Sequence, residues 1–325
     1  MKRDFSILDV ETIEIDYFLN DGSHTMNAEI FNKCEFELLG ILKELSSNLK
    51  VPIDIEVEAL GQGSIKAWLK VHGDAKNQII IAFLIYLATN VCFTPLTTTL
   101  EYVTNNLLDE FFEDPEIKEL EKEKEKEELK YDIAKIKAKT QRLCKTIDET
   151  KIKKKRSNYF AAAQECKKLE KISMTVTDSE KKFKINTKEV KATEFSKYIM
   201  TSDELDPDED EKAFIEIVSP VLKKGKYQWV GVYHGDIIQF RMKSDEFKSL
   251  VQTGSVRFQN GSSIMCHLLT NKKITNQGEI MVTGYDVLEV DNYYINDHPV
   301  ETPEGKRKRQ KKEADLQQLD LFGNE

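Results

Sequence analysis

Between Ile79 and Leu96 the chain runs IIIAFLIYLATNVCFTPL, eighteen residues without a charge. Such a segment must leave water. It is either the buried centre of a globular domain or a minimal membrane span, which needs about 20 apolar residues. Thr89, Asn90, Thr94 and Pro95 fall in its second half, so the strictly apolar part is only Ile79 to Ala88. That length predicts a buried core helix, with membrane insertion of residues 79–96 as the alternative.

The flanking pattern supplies the layers such a helix would cover. Ile13 to Leu19 reads as a strand ending at the Asn20-Asp21-Gly22 turn. From Met26 to Leu45 apolar residues recur at helical spacing. Ile53 to Leu60 alternates apolar with Asp54, Glu56 and Glu58, Gly61 to Ser64 turns, and Ile65 to Val71 alternates again, giving a hairpin. Leu100 to Phe112 predicts a further helix. Residues 1–113 are therefore expected to form an α+β domain.

Asp114-Pro115 suits a helix start. The chain then becomes mostly Glu, Lys and Leu/Ile, with opposite charges three and four apart and a thin apolar stripe. A second helical stretch covers about 157–171. The expectation for 114–171 is a long charged helical arm, a spacer between globular ends, with coiled-coil pairing as the alternative.

Residues 172–296 read as β-rich. Short alternating runs begin at Ile172–Val176 and Phe183–Ile185, and resume after an acidic loop at Asp203–Glu211. They continue through Phe214–Val218, Gln228–Tyr233, Asp236–Met242, Val256–Phe258, Ser263–Leu269, Gly278–Gly284 and Tyr285–Val290. Short strands with frequent turns predict a small barrel or sandwich. One helix, Ser244 to Gln252, would plug a barrel end with Phe247, Leu250 and Val251. Lys223, Lys224, Lys226, Tyr227, Trp229, Tyr233 and Arg241 interleave basic and aromatic side chains, as a nucleic-acid binder of the OB type requires.

The formal charge of −9 argues against a protein that coats nucleic acid by its own field. Positive charge is local, in Lys151–Arg156 and in the tail. Cys34, Cys92, Cys144, Cys166 and Cys266 are scattered, with no Cys-x-x-Cys pair. That set argues against zinc and for a reducing cytoplasm. Met1 to Asp4 is followed by no apolar h-region, so no signal peptide is expected. No phosphate-cradling glycine loop is present, and His24, His234 and His298 read as surface residues. Asp54, Glu56 and Glu58 with Lys66 form the one arrangement that suggests metal-dependent phosphodiester cleavage. No nuclease spacing is met, so neither a metal nor a cofactor is expected.

The C-terminus is more specific. Lys306, Arg307, Lys308, Arg309, Lys311 and Lys312 put six positive charges in seven residues, inside a stretch poor in apolar residues. Such a composition predicts a disordered basic tail over 297–325, a tether of about 25 residues and roughly 25–30 Å mean reach. Lysine and arginine there would add sequence-blind affinity for DNA phosphates. Beyond them stand Gln318, Leu319, Asp320, Leu321 and Phe322. These five resemble the Gln-Leu-Ser/Asp-Leu-Phe peptide with which bacterial replication and repair proteins dock on the DNA sliding clamp (the beta clamp). The resemblance covers five residues and implies a partner, with Leu321 and Phe322 in a hydrophobic cleft and Gln318 in a polar pocket. It points to a clamp-bound accessory or sensor at replicating DNA, such as a mobile element or antiviral system would carry. A clamp-delivered nuclease and a membrane effector are the alternatives.

Overall fold

The structure is a computed structural model describing residues 10–58, 65–74, 77–114, 117, 127–178, 181, 184–223, 225 and 227–322. The side chains at 127–133, 185–186 and 316–322 lie outside that description. The chain is α+β and divides into two units: residues 1–201 with 276–279, and residues 202–275 with 280–325.

The first unit holds a five-stranded antiparallel sheet in the order β2-β3-β1-β4-β5. Its strands are β1 (Val10–Leu19), β2 (Ile53–Glu58), β3 (Ile65–Gly73), β4 (Leu169–Asp178) and β5 (Lys184–Lys191). Alternation gives β1 two chemistries: Ile13, Ile15 and Tyr17 are fully buried in the apolar core, while Thr12, Glu14 and Asp16 point to the opposite face. Helix α1 (Ala28–Leu49) begins at Asn27, whose side chain accepts from the Glu29 and Ile30 amides. Helix α2 (Gln78–Cys92) lies on β1, β3 and β4 and is buried on every side from Ile80 to Cys92.

The charge-free run is therefore a core helix that stops at Cys92, with Phe93–Thr98 outside it. Its 15 residues span about 22 Å, short of the roughly 30 Å hydrocarbon layer. Among the described residues no helix is long and apolar enough to cross a membrane, so insertion of 79–96 has no support here.

The charged arm expected over 114–171 is not seen among the described residues. Helix α3 (Leu100–Phe112) is followed by α4 (Glu127–Cys144), which packs on α1 and α3 and pairs Lys137 with Asp109 at 3.2 Å. Helix α5 (Glu149–Glu165) packs on α1 and buries Ile152, Tyr159, Phe160 and Ala163. The Phe160 ring meets Phe93, Phe195 and Tyr198, at a centroid separation of 4.5 Å for Tyr198. The basic run Lys151–Arg156 is only partly at the surface, with Lys154 and Arg156 buried and Lys151, Lys153 and Lys155 partly exposed. Arg156 is 2% exposed and donates from Nη1 to the Val91 carbonyl at 3.0 Å. That carbonyl lies in the last turn of α2, where intrahelical donors run out. Residues 118–126, the most acidic part of the expected arm, lie outside the described residues.

β4 and β5 also correct an expectation. Their sequence pattern groups both with the β-rich region beginning at 172, but β4 hydrogen-bonds to β1 along most of its length and β5 extends the same sheet.

The second unit is a closed barrel. Its strands are β6 (Glu204–Ser219), β7 (Trp229–Tyr233), β8 (Asp236–Met242), β9 (Ser263–Ile274) and β10 (Ile280–Ile295). β6 pairs with β7 and β9, β7 with β8, β8 with β10, and β10 with β9, closing a ring of five. The β8–β10 pair is parallel and the rest are antiparallel. Helix α6 (Asp245–Gln252) joins β8 to β9 and buries Phe247 and Val251 in the barrel core, Phe247 facing Trp229. The acidic segment Asp203–Glu211, expected as a loop, forms the first half of β6 from Glu204 onward. It is held against β9 in register Glu204 to Lys273, with Lys272 paired to Asp208. A short strand β11 (His298–Glu301) pairs with β10, and helix α7 (Pro303–Phe322) follows.

Candidate functional site

Two places in the second unit and one in the first collect chemistry-bearing side chains. The first is a cleft of about 400 Å³ at the β6–β7 loop, the start of β7, the end of β8 and α6. Lys223, Arg241, Lys243 and Lys248 line it, together with Tyr227 and Trp229, and among the described residues no carboxylate does. Alternation along β8 explains the cations: Phe240 and Met242 are buried in the barrel while Arg241 and Lys243 point out. Arg241 is held by Asp286, with Nε donating at 2.6 Å and Nη2 at 2.8 Å, a planar bidentate pair that fixes the guanidinium. Tyr227 is 66% exposed, whereas Trp229 is 2% exposed and belongs to the core. A side chain at Gly225 would collide with the Tyr227 ring, so glycine there lets that ring lie over the loop.

Of the barrel residues singled out from sequence, the structure brings Lys223, Tyr227 and Arg241 together with Trp229 as a wall. Lys224 and Lys226 lie outside the described residues. Tyr233 does not join; its hydroxyl donates to Asp210 at 2.8 Å, and burial and that carboxylate push its pKa up to about 12. Lys243 and Lys248 were missed. Lys243 continues the outward alternation of β8 past Arg241, a signal the sequence carries; Lys248 arrives on the plug helix, and spacing alone does not reveal it.

The second place is the base of α7. Thr302 accepts the Gly305 amide at 3.0 Å, and Pro303 occupies the first helical position. The Glu304 carboxylate accepts from the Ser244 hydroxyl at 2.8 Å and the Val290 amide at 2.8 Å, joining α7 to the start of α6 and to β10. Gly305 sits where a Cβ would fall on the Asp291 carbonyl. Arg307 pairs with Glu246, Lys308 with Asp291 at 3.0 Å, and Arg309 with Glu301 at 2.9 Å and Glu313 at 3.1 Å. Lys312 reaches Glu211 at 4.0 Å. The segment expected as a disordered tail is thus helical over Pro303–Phe322 and anchored at its base. Four of the six cations expected to face DNA meet carboxylates; Lys306 and Lys311 have none within ion-pair distance among the described residues. Gln318, Leu319, Asp320, Leu321 and Phe322 close the helix in backbone terms, and their side chains lie outside the description.

Gly305→Ala tests this anchor. Overpacking against the Asp291 carbonyl should cost about 1–3 kcal/mol. The expected result is a lower melting temperature and faster tryptic cutting within 306–312. An unchanged cleavage rate would mean that the base of α7 does not hold the helix.

The third place is the polar face of the first sheet. Lys66 reaches Glu14 at 3.2 Å and Asp16 at 3.1 Å, Lys184 reaches Glu14 at 3.3 Å, and the Trp68 indole donates to Glu14 at 3.4 Å. Burial pushes the Glu14 carboxyl up, but the two lysines more than offset it and hold it below the usual range. Lys66 is therefore committed to β1, not to Asp54, Glu56 and Glu58. Glu56 faces His72 at 3.5 Å and Glu58 pairs with Lys181. The carboxylate–lysine set suggested for phosphodiester cleavage is not assembled, and among the described residues no three His, Cys, Asp or Glu side chains converge as metal ligands. The Gly61–Ser64 turn lies outside the described residues.

No protein-family model, curated protein or solved structure matches the chain. Its function is therefore read from the chemistry of these residues.

Proposed function

We propose that this chain is a non-enzymatic accessory that docks on the bacterial DNA sliding clamp through Gln318–Phe322 and is thereby held at replicating DNA. The observation that carries the reading is the resemblance of Gln318–Phe322 to the clamp-docking peptide; these residues end a helix whose base is fixed to the barrel. Leu319, Leu321 and Phe322 offer three large apolar groups in four positions. Short peptides gain affinity by filling pockets with such groups, and ordering costs leave a net affinity on the order of micromolar.

The anchored helix changes how docking would work. At 1.5 Å per residue, its 20 residues form a rod of about 30 Å, and the motif begins about 9 Å beyond Lys312. A rod fixes the direction in which the barrel leaves the clamp, where a leash would leave it free. Docking would raise the local concentration of the body at DNA to about millimolar. Lys306 and Lys311 are the cations left to meet duplex phosphates beside the clamp.

Competition tests the reading. A synthetic peptide of residues 316–325 should displace the whole chain from a purified clamp, and a clamp peptide from another replication protein should do the same. Binding of the chain that neither peptide displaces would place its clamp contact elsewhere.

A further inference from the structure

We propose that the barrel cleft around Tyr227 binds single-stranded nucleic acid, with Lys223, Arg241, Lys243 and Lys248 on the phosphates and the Tyr227 ring under a base. The chain as a whole carries −9 and repels a polyanion. The cleft is a local exception: among its ten described lining residues four are cations and none is acidic. Although Asp286 pairs with Arg241 and Asp245 with Lys248, each at 2.6 Å, Lys223 and Lys243 add positive charge beyond those pairs. The ammonium groups of Lys223 and Lys243 have no carboxylate within ion-pair distance among the described residues, so their charge is available to a ligand. Arg241 is already oriented by Asp286, which removes part of the ordering cost of binding.

Volume and shape narrow the ligand. About 400 Å³ suits a single nucleotide unit at a time rather than a duplex. A solvent-facing tyrosine ring is a stacking platform only for bases released from a helix, and stacking is sequence-tolerant because every base has a π face. The barrel topology agrees at the level of fold analogy. Five strands with a parallel third–fifth pair and a helix between the third and fourth make an OB arrangement, which binds oligonucleotides on its second and third strands and first loop. Most of the cleft lies on those elements, with Lys248 and Gln252 added from α6. Oligosaccharides, the other ligand of such barrels, do not call for four cations.

The site is independent of clamp docking, and the test separates the two. Fluorescein-labelled 12-mers of oligo(dT) and oligo(U), and a 12-base-pair duplex, are titrated with the full chain in the absence of clamp. We expect saturable binding of a single strand at least tenfold tighter than of the duplex. The logarithm of the affinity should fall with the logarithm of salt at a slope of about −2 to −3, from three or four phosphate contacts. Oligo(dU) set beside oligo(U), which differ only in the 2′-hydroxyl, names the sugar that the cleft takes. Lys223→Glu with Lys243→Glu should lose at least tenfold, and Tyr227→Ala several-fold with an unchanged salt slope. A control reversal in the first unit, Lys167→Glu with Lys188→Glu, should retain at least half the affinity, as should Leu321→Ala with Phe322→Ala. Absence of single-strand binding, equal affinity for duplex, or equal losses in the cleft and control reversals would each overturn the proposal.

Discussion

Replacing Leu321 and Phe322 together with alanine should abolish clamp docking and leave the melting temperature of the chain unchanged. Each side chain, if buried in a cleft of the partner, contributes about 1.5–3 kcal/mol. Losing both removes about 3–6 kcal/mol, a factor of a hundred or more, which carries a micromolar affinity out of the measurable range. The fold should not notice. The base of α7 is held through Thr302, Glu304, Gly305 and the ion pairs of Arg307, Lys308 and Arg309, at least nine positions before the motif. Thermal unfolding and clamp binding of the double variant separate the outcomes. A drop of several degrees in melting temperature would make the end of the helix a structural element, and retained binding would remove the motif from the interface.

The second large effect is on pH dependence. Glu35, on α1, has burial as the main influence on its carboxyl, which pushes its pKa from 4.5 to about 7; the Tyr17 hydroxyl, donating at 3.4 Å, pulls the other way. Tyr17 is itself bonded to the Tyr159 hydroxyl at 3.3 Å, so the proton donors here are neutral phenols rather than cations. The sign follows from linkage. Between pH 4.5 and 7 the folded chain holds a proton that the unfolded chain has released, so stability falls as pH rises through that window. Above pH 7 the full penalty is present, on the order of 3 kcal/mol. Glu35→Gln keeps the shape and the acceptor for Tyr17 and removes the charge. Denaturant unfolding at pH 5 and pH 8 should show the variant gaining stability over the parent only at the higher pH. An equal difference at both pH values would mean that Glu35 is ionised at little cost.

Much of the first unit was legible because its periodicity is strong and local. β1, α1, the β2–β3 hairpin, α2 and α3 all form close to where alternation or helical spacing places them. β4 was not, because the partner of Ile172–Val176 is β1, some 160 residues upstream, and periodicity carries no record of pairing. The expected start of α5 near 157 came too late because Lys151–Arg156 reads as a charged run, yet the helix begins at Glu149 and buries Lys154 and Arg156. Long aliphatic stems let such residues enter a helix interface. The first half of β6 hid behind its acid content, since aspartate and glutamate disfavour strands, while Phe214–Val218 in its second half was legible; Lys272 and Lys273 across the ladder compensate for the acids.

The candidate sites divide in the same way. Lys223, Tyr227 and Arg241 were visible as basic and aromatic residues interleaved in one region, but Trp229 faces inward because β7 alternates. In the tail, composition pointed to disorder. Thr302-Pro303 was nonetheless a helix start in plain sight, and the helix is held by capping and ion pairs at its base rather than by an apolar face.

One measurement bears most directly on the central claim. Purified chain, whole or ending at Asp315, is titrated against a purified bacterial sliding clamp and the equilibrium constant is read by analytical ultracentrifugation. Docking through the helix end predicts a dissociation constant on the order of micromolar for the whole chain and no complex for the shortened one. Equal affinity of the two chains, or no complex with either, would contradict it.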